Sequence, residues 1–133
     1  MIESGVIEVK KAAKDNSSFR KVLFTGTKSQ LVVMSLRPGE AIGSEVHAAV
    51  DQFLYVVAGS GNAVASGVAT PLGKGSVFCV PAGTTHDVIN TGDEPLMLFT
   101  VYAPSQHAAG TIHATKAEAI AAEAAEALVV APD

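Results

Sequence analysis

Hydrophobic and polar positions alternate over short stretches along most of this chain, and glycine, proline and small polar residues separate the stretches. Residues 20–24 and 30–36 read as two strands, and Thr25-Gly26-Thr27-Lys28-Ser29 between them suits a hairpin loop. Residues 52–58, 63–66, 76–80, 85–89 and 96–102 continue the series, and 6–10 reads as a short first strand followed by a polar loop over 14–18. The dividers are Arg37-Pro38-Gly39-Glu40, Gly59-Ser60-Gly61-Asn62, a connection over 70–75, Pro81-Ala82-Gly83 and the turn at 91–95. So many short strands predict an all-β sandwich or barrel. The C-terminal end breaks the pattern. Thr115-Lys116-Ala117-Glu118 has the form of a capping box, and the alanine-rich run to about Leu128 predicts one helix. Ile120 and Leu128 lie near one another at helical spacing, offering a weak docking face, while Glu118, Glu123 and Glu126 spread toward solvent.

The length of 133 residues fits one domain over 1–133, with a barrel core at about 20–103 and a loop and helix at 104–130. The net charge of -4, with Lys and Arg dispersed, argues against a nucleic-acid partner. Residues 1–14 lack the apolar core of a signal peptide, and no apolar run approaches the roughly 20 residues that cross a bilayer. Cys79 is the lone cysteine and is expected to act as a small buried hydrophobe, which suits a reducing compartment. A cytoplasmic location without membrane attachment is therefore expected. The glycines of 59–75 lack the spacing of a phosphate-binding loop, and no helix pattern follows them.

Chemistry concentrates between Gly39 and Asn90. Side chains alternate across a strand, so Glu45 and His47 share one face while Val46 points away, with same-face neighbours about 6.6 Å apart. In 52–58, Gln52, Leu54, Val56 and Ala58 fall on the same face as those two residues, and Phe53, Tyr55 and Val57 on the other. Both faces are apolar, so the second is expected to be covered by another sheet, the C-terminal tail or a second subunit. A homodimer is the expected assembly. Asp51 faces away from Gln52 and reads as a solvated or capping carboxylate, Gly83 and Asn90 as turn and strand-end residues, and His107 and His113 as exposed loop histidines. Tyr55 and Tyr102 carry no assignment.

The first segment has Pro38-Gly39, Glu45-Val46-His47, Gln52 and Gly59; the second has Gly75, Pro81-Ala82-Gly83, His86 and Asn90. This double pattern resembles the two motifs of the cupin superfamily. The first motif carries Glu-x-His and Asp-Gln where the commoner form has His-x-His and Glu. The segments 19–23, 30–36 and 110–118 resemble one subfamily of small single-domain bacterial cupins, loosely similar to mannose-6-phosphate isomerases. The resemblance implies a jelly-roll (double-stranded β-helix) barrel and a mononuclear site made by Glu45, His47, Gln52 and His86. Carboxylate, amide and imidazole donors all suit a divalent first-row metal such as Fe, Mn, Zn, Ni or Cu. It also implies a small-molecule ligand, with an isomerase or hydrolase acting on a sugar or similar oxygenated compound as the leading function. A non-heme metal dioxygenase and a non-catalytic binding module are the alternatives, and no catalytic residue is assigned.

Overall fold

The computed structural model describes residues 4–129, with side chains to 125. Its elements are α1 (Val9–Asp15), β1 (Arg20–Thr25), β2 (Gln30–Leu36), β3 (Asp51–Ala58), β4 (Gly61–Ala65), β5 (Val68–Leu72), β6 (Val77–Val80), β7 (His86–Asn90), β8 (Leu96–Ala103), β9 (Ile112–His113) and α2 (Lys116–Val129). A six-stranded sheet in the order β6-β3-β8-β2-β1-β9 faces a three-stranded sheet in the order β5-β4-β7. Residues 41–45 extend the smaller sheet through single bridges, Ala41 to Ile89 and Glu45 to His86. This is the expected jelly roll. Its core lies between the sheets, where Val32, Met34, Leu36, Leu54, Val56, Val88, Leu96 and Leu98 are almost wholly buried. Each such side chain contributes about 1.5–3 kcal/mol on burial.

The first element corrects the expected strand over 6–10. Val9, Ala12 and Ala13 stand at helical rather than strand spacing, and Lys11 pairs with Asp15 one turn on at 2.6 Å. Helix α1 lays fully buried Ala13 against Val33 and Val57 on the outer face of the large sheet, with Tyr55 and Phe99 packed alongside. That helix covers much of the second apolar face of β3. Phe53 and Val77, further toward the sheet edge, stay about half exposed, and Cys79 is exposed rather than buried.

Three further expectations change. Leu54 and Val56 face the inner core and Tyr55 and Val57 the outer cluster as expected, but a bulge between Val56 and Ala58 puts Ala58 opposite Met97 on the outer face instead of the inner one. Part of the expected connection at 70–75 is strand β5, joined to β4 by Ser66-Gly67 with φ of 48° and 82°, the twist a two-residue hairpin turn prefers. Pro71 is tolerated there because β5 is an edge strand. On α2, Glu118 N–H donates to Thr115 Oγ1 at 3.2 Å, but the Glu118 carboxylate meets the Thr115 hydroxyl rather than its backbone N–H. Ala119 is the buried contact and Ile120 is exposed; the side chains of Glu126 and Leu128 lie outside the described residues.

Candidate metal centre

Backbone pairing builds the site. Glu45 and His86 exchange N–H to carbonyl hydrogen bonds at 2.8 Å in both directions, and the His47 carbonyl accepts from Gly83 N–H at 2.8 Å. Gly83, with φ of 84°, makes the left-handed turn that delivers His86 to the start of β7. Two residues apart in an extended segment, Glu45 and His47 turn toward the same interior, where Glu45 Oε2 lies 3.9 Å from His47 Nε2. The His47 and His86 rings are 5.4 Å apart. One donor atom from each of Glu45, His47 and His86 lies within 4.8 Å of the others. That is about twice the roughly 2.1 Å bond from nitrogen or oxygen to such an ion.

The hydrogen bonds around His86 orient its donor. The Thr84 carbonyl, which can only accept, lies 2.9 Å from His86 Nδ1, so the proton sits on Nδ1 and the Nε2 lone pair faces the site. Gln52, 3% exposed at the start of β3, places its amide oxygen 3.1 Å from that Nε2, while its nitrogen donates to Thr100 Oγ1 at 3.0 Å. An amide oxygen facing Nε2 is satisfied when that nitrogen carries a proton, and a cation held between the two would serve equally. Turned over, the amide would donate to Nε2 and close the position a metal takes. Gln52 therefore stands beside the three other expected residues, within hydrogen-bond reach of His86.

Burial pushes the Glu45 carboxyl up to about 7; the Arg20 cation opposes that rise, while Glu123 and Asp87 add to it. Burial also holds His47 below its ordinary value, with His86 and Arg20 lowering it further. The metal-free site thus presents a neutral His47 ready to ligate and a carboxyl whose charged form awaits a cation.

Five interior residues escaped the sequence reading. Arg20, 1% exposed, projects inward from β1 on the same face as Val22 and donates to His113 Nδ1 at 3.3 Å and to Glu123 at 3.5 Å. His113 is buried and His107 half-buried, which corrects their reading as exposed loop histidines, and Glu123 turns to Arg20 rather than wholly to solvent. Tyr102, fully inside the barrel, lies edge-on to His47 at 6.1 Å and has its hydroxyl 3.4 Å from His107 Nε2. Burial raises the Tyr102 pKa well above the usual phenol value and lowers His107 to about 3, so at neutral pH both are uncharged. Gln30 sets His107 in place: its oxygen accepts from the Gln106 and His107 N–H groups, and its nitrogen donates to the His107 carbonyl at 2.7 Å. The signal was present in the strands, since Arg20, Gln30, Thr100 and Tyr102 all occupy the apolar parity of their strands, where a polar residue is anomalous.

Residues 32–102 match the cupin domain family, and the chain belongs to it. It is 45% identical over 131 residues to the uncharacterized protein YrkC of Bacillus subtilis, an alignment covering 89% of this chain and 67% of YrkC. The crystal structure of a Bacillus halodurans protein superposes with a TM-score of 0.88 at 39% identity, over 90% of this chain and 95% of that one. A predicted oxalate decarboxylase from Thermotoga maritima superposes with a TM-score of 0.57 at 26% identity, over 59% of this chain and 69% of that one. Among the described residues no helix is long and apolar enough to cross a membrane.

Proposed function

We propose that this cupin holds one divalent transition metal on Glu45, His47 and His86, with Gln52 as a fourth donor, and acts as an isomerase or hydrolase on a sugar or other small oxygenated molecule. The observation that carries the reading is the convergence of one donor atom from each of Glu45, His47 and His86 to within 4.8 Å of one another. When bound, the ion would supply Lewis acidity toward a substrate oxygen. The chain's own residues do the rest. Tyr102 stays protonated and offers a hydrogen bond within the barrel, and His107 stays neutral beside it, with Nε2 3.4 Å from the Tyr102 hydroxyl. Two imidazoles and one carboxylate also form the facial donor set of non-heme iron oxygenases, which supports oxygen chemistry as the second reading.

The test is metal analysis of protein purified without oxygen. About one divalent ion per chain is expected, with loss in both His47→Ala and His86→Ala; metal content unchanged in both variants would remove the proposal. Iron as the resident ion would favour the oxygenase reading, and zinc the isomerase or hydrolase. We further infer a homodimer in which the half-exposed Phe53 and Val77, diagonal to one another on the outer face of β3 and β6, are covered by a second copy.

A further inference from the structure

Arg20 is a charge taken almost wholly out of water, at 1% exposed; a hydrogen bond from it bears on the Tyr102 hydroxyl, and one guanidinium nitrogen, Nη1, makes two further contacts. That nitrogen shares its bonds between His113 Nδ1 at 3.3 Å and the half-exposed Glu123 at 3.5 Å, both long for charge-assisted contacts. Nε of the same guanidinium is buried with no hydrogen-bond partner among the described residues. A guanidinium offers five N–H donors, and a buried cation left so far from saturation is costly. Replacing it with an apolar residue of similar volume would ordinarily be neutral or better for stability, so stability alone does not account for it.

The surroundings indicate what would saturate it. Arg20 shares the inward face of β1 with Val22, and the interior it enters also holds Tyr102, whose hydroxyl meets His107 and whose ring meets His47. His113 accepts from Arg20 through Nδ1 and the Tyr102 hydroxyl lies against the same guanidinium, which fixes it and leaves Nε for another partner. Glu45 does not form an ion pair with Arg20 among the described residues, and in the metal-loaded reading its charge is committed to the ion. A divalent ion and Arg20 then outweigh Glu45 and Glu123, and the interior carries excess positive charge.

We propose that Arg20 is the substrate-anchoring residue of this barrel, and that it takes the carboxylate of a small oxo- or hydroxy-acid whose second oxygen lies toward the Glu45, His47 and His86 centre. The proposal rests on the metal-site reading for the second oxygen only; the carboxylate contact belongs to Arg20. It narrows the oxygenated substrates to anionic ones. A planar fork suits a carboxylate in two-point contact, and a neutral analogue would leave the guanidinium unpaired.

The experiment is calorimetric titration of the protein as purified with pyruvate and with hydroxyacetone, which keeps the carbonyl but lacks the carboxylate. Metal content is measured on the same samples. Pyruvate is expected to bind at least tenfold more tightly than hydroxyacetone. Arg20→Met should abolish that preference with metal content unchanged, and Arg20→Lys should keep part of it. Glu123→Gln, at a half-exposed position that does not threaten folding, should tighten pyruvate binding by removing the competing carboxylate. Wild type that does not distinguish the two probes, or a preference that survives in Arg20→Met, overturns the assignment. If Arg20→Met does not fold, Glu123→Gln decides: unchanged or weaker pyruvate binding overturns it. Bound metal without a pyruvate preference sinks this proposal alone. Absence of metal sinks the metal reading alone, since the same pair of titrations still reports on Arg20.

Discussion

Gln52 is the residue on which the donor count depends. If its oxygen ligates, Gln52→Glu adds a charge at the same position, and a hard cation such as manganese should bind more tightly. Gln52→Leu should weaken binding by removing an oxygen donor. A competitive metal titration of both variants at fixed pH checks this, and near-identical affinities would leave three protein ligands. Two other residues set the pH response of the metal-free protein, with opposite signs. Glu45 is raised from the ordinary 4.5 to about 7, so its contribution to stability is complete below pH 4.5 and is lost as pH rises through 7. That difference is worth about 3 kcal/mol at most, and metal-free Glu45→Gln should be more stable than wild type at pH 8 by up to that amount. His107 is lowered to about 3, so its contribution is complete above pH 6.5 and is lost as pH falls toward 3. In His107→Gln, denaturant unfolding between pH 6.5 and 4 should show a shallower acid-side loss than in wild type.

Helix α1 shows how an element can be hidden by its own brevity. Seven residues give barely two turns, and Val6, Ile7 and Val9 just before and at its start imitate strand alternation. Tertiary packing decides the outcome: Ala13 is small enough to lie flat on Val33 and Val57 with no exposed surface. Ala13→Leu should overpack this contact and cost about 1–3 kcal/mol, read as a lower midpoint in urea with an unchanged slope. The strands fared better because most of them bury one face. The strand β2 has the expected ends, and β1, β3, β7 and β8 each differ from expectation by only a residue at one end or both. At Gly59, φ is 90° and an added Cβ would come 2.5 Å from the Pro95 carbonyl, so this motif glycine is required by close approach as well as by backbone angle.

For the molecule as a whole, the large sheet carries two different outer surfaces. Over β2, β8 and part of β3 it is covered by α1, whereas the edge formed by β3 and β6 exposes Phe53 and Val77. Sedimentation at micromolar concentration should show a dimer, and Phe53→Glu should shift it to monomer by placing a charge in the apolar contact. Only monomer for wild type would remove the inferred interface.

Local rules gave most of the strands and the glycine turns, because period-two alternation and left-handed turns are properties of a few adjacent residues, whereas Glu45, His47, Gln52 and His86 were named by their resemblance to the two motifs. Sequence patterning also marked the C-terminal helix through its Thr115 cap. Which residues would join that centre was decided by the tertiary structure. Arg20 and His113 are 93 positions apart, and Gln30 and His107 are 77. They meet because β1 pairs with β2 on one side and β9 on the other, and because the loop at 104–111 folds back onto Gln30. No spacing along the chain encodes such contacts. They arise from sheet order, which forms when distant apolar faces are buried together.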